Sequence, residues 1–319
     1  MLFKCTALLQ ILSVKSLFAV RKSLNNISSN VKLQGERRLV VYVTKADGST
    51  QLYSREKVVQ TCLRMGADQE TAERVAMQVE RRLYEGIPTR KVLQLIFILL
   101  RKPKPAVRHL FDLRRGISLM MPKPEFELFI QVILEHTGFE VKHNMILKGL
   151  CGEHEADAIA TKNGLTYFVE AKHHENYHAL TGLDETRIAR AILEDVTEGY
   201  TAGVTKTKID KAVIVTNTKY SQHALDYGGC RGILQIGWTT PEGSGLRDAV
   251  EKHKLYPLSC LRGVSVGTRL RLVDAGIVLI RQVLEHDADY YEHKLGLSHQ
   301  TVTDLIEKAA HTARTLWHL

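Results

Sequence analysis

Three side chains near the middle of this 319-residue chain have types and spacing suited to phosphodiester chemistry. Asp157 lies in Glu153-His154-Glu155-Ala156-Asp157-Ala158-Ile159-Ala160, and Glu170 and Lys172 lie in Tyr167-Phe168-Val169-Glu170-Ala171-Lys172. Two carboxylates can hold Mg²⁺ or Mn²⁺, hard ions that prefer oxygen ligands. Such an ion polarises a phosphodiester and lowers the pKa of a bound water. A neighbouring lysine can orient that water or offset the charge that builds on the phosphorane oxygens. The alternative without chemistry is a Glu170–Lys172 ion pair closing a strand end.

Such groups need elements to carry them. Alternate residues of a strand face the same way, so Glu170 and Lys172 share one face. The apolar run before them predicts a buried strand whose end turns polar, a costly arrangement unless the charges serve each other or a metal. Phe126, Phe129, Ile130, Ile133 and Leu134 recur at helical spacing and predict a helix over 125–136. Strand-like runs follow at 139–147, 154–161 and 165–171, then a helix-rich stretch over 178–200, a strand at 212–216, a helix near 221–227 and a strand at 233–238. This order indicates a mixed α/β domain with helices flanking the sheet. In a regular strand Glu153 and Glu155 face the side of Asp157. His174 and His178 have i, i+4 spacing that could bind zinc in a helix, but no third ligand accompanies them and solvated or phosphate-facing histidines are expected.

An Asp, about a dozen residues and then Glu-x-Lys resembles the PD-(D/E)xK nucleases. The ordered elements over roughly 123–240 resemble the Mrr-type restriction endonuclease domain in particular. That resemblance implies Asp157 and Glu170 as metal ligands and Lys172 as the catalytic lysine. Glu127, on the first helix, matches an acid that some members add to the site. Mrr-type domains often carry Asp-Gly-Gly-x-Asp, whereas this chain keeps the Asp and replaces the glycines with acids.

Ahead of this region, Val40–Val43 predicts a short strand and Lys45-Ala46-Asp47-Gly48 its turn. Ser54 caps a helix, and helical patterns follow around 69–85 and 89–100, ended by Arg101-Lys102-Pro103-Lys104-Pro105. A glycine turn lets backbone approach a phosphate, and Lys45 and Lys57 offset its charge. The run Val43–Thr50, with Ser54–Val58 and Gly86-Ile87-Pro88-Thr89, resembles the ATP-cone domain over about 39–121. That implies ATP or dATP bound as a regulatory signal, with Val43, Lys45, Asp47, Gly48, Lys57 and Thr89 as nucleotide-binding residues. The family usually has Arg where Ala46 stands and often an acid where Gln51 stands, so one phosphate contact is expected to be absent. No Gly-x-x-x-x-Gly-Lys-Ser/Thr loop occurs, so P-loop hydrolysis is not expected. A basic surface without a nucleotide pocket is the other reading.

At the carboxy-terminal end, Leu261-Arg262-Gly263-Val264-Ser265-Val266-Gly267-Thr268 opens a helix that ends at Ala275-Gly276-Ile277. Leu295-Gly296-Leu297-Ser298-His299-Gln300-Thr301 is a second version. The pair resembles a tandem helix-hairpin-helix domain over about 255–313. Such hairpins offer backbone N–H groups at a helix start to DNA phosphates, which fixes position without reading bases. Gly263, Val264, Ser265, Gly267, Thr268, Gly296 and Ser298 are then the DNA-binding residues. Ser265 replaces the second glycine of the usual turn, so weaker binding is expected at the first hairpin. Protein contact through the same hairpins, including formation of a homo-oligomer, is the alternative.

Charge divides the chain in a matching way. Of the net +9, residues 1–37 carry +5, residues 38–122 carry +8, residues 123–247 carry −4, and the remainder is neutral. A basic segment followed by an acidic one suggests that one part meets anions and the other gathers carboxylates. The five cysteines form no Cys-x-x-Cys pair, which argues against a zinc ribbon or disulfide framework and fits a reducing cytoplasm. No run of about 18 apolar residues occurs, so no membrane span is expected. The first 35 residues lack acids and could suit a transit or signal sequence, but Lys4 and Lys15 break the apolar stretch and no small-residue cleavage site follows. A disordered tail or a wrongly chosen start codon is expected there.

The expected architecture is a multidomain α/β protein. It has a tail over 1–37, a helical ATP-cone over 38–122, a restriction-endonuclease-like mixed α/β sheet over 123–245 and an all-α helix-hairpin-helix tail over 246–319. The expected activity is Mg²⁺- or Mn²⁺-dependent cleavage of DNA, regulated by ATP or dATP. A nucleotide-sensing DNA-binding regulator with an idle nuclease-like domain is the alternative.

Overall fold

Gly48, with φ of +80°, turns the chain between β1 (Tyr42–Thr44) and β2 (Thr50–Leu52), which pair antiparallel. The computed structural model describes residues 40–46, 48–103 and 112–317, with side chains as far as Arg314; the expected tail over 1–37 and Asp47 lie outside the described residues. β3 (Ile87–Pro88) joins β1 in parallel on its other side. The Ser54 hydroxyl accepts from the Lys57 N–H and starts α1 (Arg55–Arg64). Asp68 caps α2 (Gln69–Glu80) in the same manner, and α3 (Thr89–Leu100) follows β3 directly. Their apolar faces, among them Val58, Cys62, Val75, Val79, Ile96 and Leu100, bury a core around Val43 and Ile87. Arg55 spans α1 and α2 by pairing with Glu73 at 2.8 Å and Glu80 at 2.5 Å.

A second core forms around a five-stranded mixed sheet. β4 (Glu140–Lys148), β5 (Glu153–Lys162) and β6 (Leu165–Lys172) are antiparallel neighbours. β8 (Lys211–Thr216) and β10 (Leu234–Ile236) extend the sheet in parallel with β6. Period-2 alternation sorts the side chains onto two faces. Ala158, Ala160, Val169, Val213 and Val215 pack against α5 (Glu127–His136) through Phe129, Ile130 and Ile133. Ile159, Phe168, Ala212 and Ile214 pack against α6 (Leu183–Thr201) through Ala189, Leu193 and Val196, with Ala224 of α7 (Gln222–Arg231) in the same cluster. Helices therefore cover both faces, which leaves strand ends as the places where polar groups gather.

Ile117 and Met120, from and just after α4 (Leu113–Ser118), lie in the α5-side core ahead of the Pro122–Pro124 pair. So do Leu246 and Val250 of α8 (Leu246–His253) and Val273 of α9 (Val266–Asp274). α10 (His299–Trp317) packs Val302, Leu305 and Ala309 on a third cluster with Leu258, Leu272, Ile280 and Tyr291.

The helix-rich stretch over 178–200 begins later than expected. β7 (Leu180–Thr181) pairs with β9 (Lys219–Tyr220), and Gly182 then starts α6 with Glu185 accepting its N–H. Residues 173–179 are not helical, so i, i+4 spacing does not gather His174 and His178. His174 instead meets the Thr181 hydroxyl at 3.1 Å. Among the described residues no helix is long and apolar enough to cross a membrane, and Cys62, Cys151, Cys230 and Cys260 are free.

Candidate active site

The sheet comes apart at Asp157, and that is how its carboxylate becomes available. On the β4 side, His143 pairs with Ala158 and Met145 with Ala156, but the position between them is unpaired. There Asn144 takes φ of +41°, a conformation that costs a non-glycine residue free energy and is kept where surrounding packing enforces it. On the β6 side the ladder ends at Ala158–Val169. The side-chain alternation slips at the same point, since Ala156 joins Ile159 under α6 while Ala158 and Ala160 face α5. The slip falls after Asp157, so Glu155 and Asp157 still meet one ammonium, that of Lys123.

The groups released by this opening find other partners. The Gln131 amide donates to the Asp157 carbonyl at 2.7 Å. The Ala171 N–H donates to Asp157 Oδ2 at 2.7 Å. Ala171 stands between Glu170 and Lys172, so this one bond sets the Asp157 carboxylate beside both. Lys172 Nζ lies 2.5 Å from Glu170 Oε1, on the face that alternation assigns to them. Glu127 enters from the start of α5 and is, like Asp157, only 7% exposed.

Sequence reasoning did not single out Lys123. Its ammonium reaches Glu127 and Glu155 at 3.0 Å and Asp157 at 3.7 Å. The available signal was its place four residues before Glu127, obscured by the flanking prolines. Gln131, four residues after Glu127, was also missed. It holds the Asp157 backbone through its amide N–H, and its Oε1 accepts from His143 Nδ1 at 2.5 Å.

Electrostatically the site is short of positive charge. Burial pushes the Glu127 carboxyl up to about 7, Lys123 opposes the shift, and Asp157 adds to it. Burial likewise raises Glu170, against the pull of Lys172 and with a further push from Asp157. The Glu155 and Glu127 contacts hold Lys123 above the usual amine range. Acids forced together in this way gain most from a nearby cation.

The donor set offers oxygen from carboxylates, which suits Mg²⁺ or Mn²⁺. Among the described residues no three His, Cys, Asp or Glu side chains form a ready-made metal cluster. A Mg²⁺ centre needs none, because it commonly rests on one or two carboxylates and completes its shell with water and substrate phosphate. Asp157 and Glu170 would hold such an ion, and it would supply charge stabilisation and an acidified water. Lys172, 37% exposed at the side chain, can turn from Glu170 toward a phosphate oxygen.

The other expected site residues fall in two places. Lys45 and Thr89 line one cavity with Thr44, Pro88 and Arg90. Val43 faces the core at 3% exposure, so its side chain is structural. Gly48 serves the β1–β2 turn, and Lys57 lies on the first turn of α1; neither is among the residues lining that cavity. Gly263, Val264, Ser265 and Thr268 line a second cavity of about 270 Å³ with Gln300, Thr301, Asp304 and Leu305. Gly267, Gly296 and Ser298 stand outside it. Ser265 and Ser298 repeat one geometry: each hydroxyl accepts the N–H three residues on and meets a threonine hydroxyl at 2.8 Å. Ser265 has φ of −67° and ψ of 155°, ordinary extended backbone, so this position does not require the glycine it lacks.

A mixed sheet flanked by helices, with acids and a lysine at a strand opening, defines a restriction-endonuclease-like domain. Residues 117–234 match the Mrr_cat family, described as restriction endonuclease. The chain is 36% identical over 178 residues to an uncharacterized protein of Archaeoglobus fulgidus, covering 56% of this chain and 95% of that protein. A second uncharacterized protein of that organism is 49% identical over 39 residues, 12% of this chain and 83% of the relative. The crystal structure of a protein of unknown function, AF1548, aligns with a TM-score of 0.52 and 31% identity, covering 65% of this chain and 100% of that one. The chain belongs to the family of these proteins, and its residues 117–234 form the restriction-endonuclease-like domain.

Proposed function

We propose that the chain is a metal-dependent DNA endonuclease controlled by ATP or dATP. The observation that carries the cleavage reading is the Ala171 N–H bound to Asp157 Oδ2, which gathers Asp157, Glu170 and Lys172 at one strand opening. Asp157 and Glu170 act as the ligands of Mg²⁺ or Mn²⁺, Glu127 assists them, and Lys172 offsets charge on the phosphate in the transition state. The amino-terminal module acts as an ATP-cone, supported by Lys45 and Thr89 sharing a cavity. The twin serine-capped helix starts act as hairpins that hold DNA phosphates, supported by their repeated geometry.

Replacing Lys172 by Ala tests the enzyme directly. Cleavage should fall by about 10²–10³-fold, the size expected for a lost charge-stabilising group, while DNA binding persists. Equal cleavage by the variant would remove Lys172 from the chemistry. A second reading, a nucleotide-sensing DNA-binding regulator, draws on the internal pairing of Lys172 with Glu170 and of Lys123 with three acids. It predicts DNA binding without cleavage by the unaltered protein under either metal.

A further inference from the structure

A cavity of about 760 Å³ opens between the amino-terminal module and the sheet-bearing domain. That size lies within the range of about 300–1,000 Å³ typical of small-molecule sites. The module contributes Lys45 beyond β1, Arg64 at the end of α1, and Thr89 and Arg90 at the start of α3. The sheet-bearing domain contributes Arg114, Tyr177, Trp238 and Arg247. Five cations thus face three acids, Asp112, Glu175 and Glu251. Arg64 already meets Glu251 at 3.3 Å and Arg247 meets Asp248 at 2.6 Å, which leaves Lys45, Arg90 and Arg114 against Asp112 and Glu175. The surplus favours an anion.

Arg114 indicates more than general charge. Its guanidinium lies 5.3 Å from the Tyr177 ring centre and 5.6 Å from that of Trp238, and one Nη donates to the Tyr177 carbonyl at 2.6 Å. Its Nε is buried and has no hydrogen-bond partner among the described residues. A buried donor left open is costly, so the guanidinium at the cavity wall has hydrogen-bonding capacity that the protein does not meet. The two rings beside it add flat apolar surface suited to a heterocycle.

We infer that this cavity is a composite nucleotide site, in which a nucleoside triphosphate is held by both the amino-terminal module and the nuclease-like domain. This rests on the nucleotide reading proposed above and extends it by assigning half of the site to the domain that carries Lys172. The assignment gives the ligand a short route to the carboxylate centre. Tyr177 follows Lys172 by five residues, and the segment between is fixed at two points. The His173 ring meets the Ile117 carbonyl at 3.0 Å, and the His174 N–H donates to Asn217 Oδ1 at 2.9 Å. α4 therefore carries Arg114 at the cavity and the Ile117 carbonyl beside the residue that follows Lys172.

The test uses the full chain with Trp317→Phe, which leaves Trp238 as the single tryptophan. ATP is titrated while Trp238 emission is followed, with calorimetry in parallel. The composite site predicts a saturable emission change, and about tenfold or greater weakening in both Lys45→Ala and Arg247→Ala. Inorganic tripolyphosphate should bind more weakly than ATP; equal affinity would overturn the nucleoside assignment. ATP binding that Lys45→Ala weakens, with Arg247→Ala and Trp238 emission unaffected, would overturn the composite site and leave the module's own nucleotide reading standing. No ATP binding by either method would overturn both.

Discussion

Asp157 Oδ2 accepts the Ala171 N–H at 2.7 Å across the point where β5 and β6 stop pairing. The bond joins the first carboxylate to the peptide between Glu170 and Lys172. One side chain thus substitutes for a missing ladder partner and fixes the spacing of the site.

Asp157→Asn keeps an acceptor for that N–H, whereas Asp157→Ala leaves it unpaired. Denaturant unfolding should show Asn within about 1 kcal/mol of the unaltered protein and Ala lower by about 1–3 kcal/mol. Both should weaken Mn²⁺ binding by calorimetry more than about 100-fold, beyond the roughly 10–100-fold typical of residues that only support a ligand. Equal metal affinity in the Asn variant would show that Asp157 is structural alone.

Glu127 makes the metal-free protein pH-sensitive. Its native carboxyl titrates near 7, above its ordinary 4.5. A raised acid contributes stability that is complete below the ordinary value and is lost as pH rises through the native one. Unfolding free energy should therefore fall between about pH 4.5 and 7, by on the order of 2 kcal/mol from this group. Glu127→Gln should flatten that slope; an unchanged slope would assign the effect elsewhere.

Gln131→Leu should leave the buried Asp157 carbonyl without its donor. A loss of about 1–3 kcal/mol is expected, together with reduced cleavage, because the backbone that aims the carboxylate is freed. A stability loss with cleavage intact would confine Gln131 to packing.

Arg269 and Glu125 form a buried pair at 2.8 Å, with side chains 6% and 0% exposed. Arg269 also donates to the Leu119 carbonyl at 2.7 Å, so α9 is tied to the chain leading into α5. Arg269→Met alone strands the Glu125 carboxylate and should cost about 3–5 kcal/mol. Arg269→Met with Glu125→Gln should recover much of that loss; equal instability of single and double variants would show that the charges do not depend on each other.

The layout of the sheet was legible because burial on both faces leaves strong local marks: the apolar run ending at Glu170 and Lys172, and the helical spacing from Phe126 to Leu134. Period two also placed Glu170 and Lys172 together. The opening at Asp157 was not legible, because it depends on Asn144 in a neighbouring strand and on the end of the β6 ladder, neither of which marks the local sequence. Lys123 and Gln131 needed the entry of α5 over that opening. Arg269 needed a partner 144 residues away. Ser265, from which weaker DNA binding is expected at the first hairpin, has extended backbone and uses its hydroxyl as a helix cap, a role that the missing glycine does not mark in the sequence.

The most direct test is a cleavage assay on single-stranded, duplex and branched DNA with Mg²⁺ or Mn²⁺, run beside an EDTA control. The account predicts cut strands that require the metal and disappear in Asp157→Asn. Intact DNA on every substrate with either metal, from protein that still binds DNA, would contradict it.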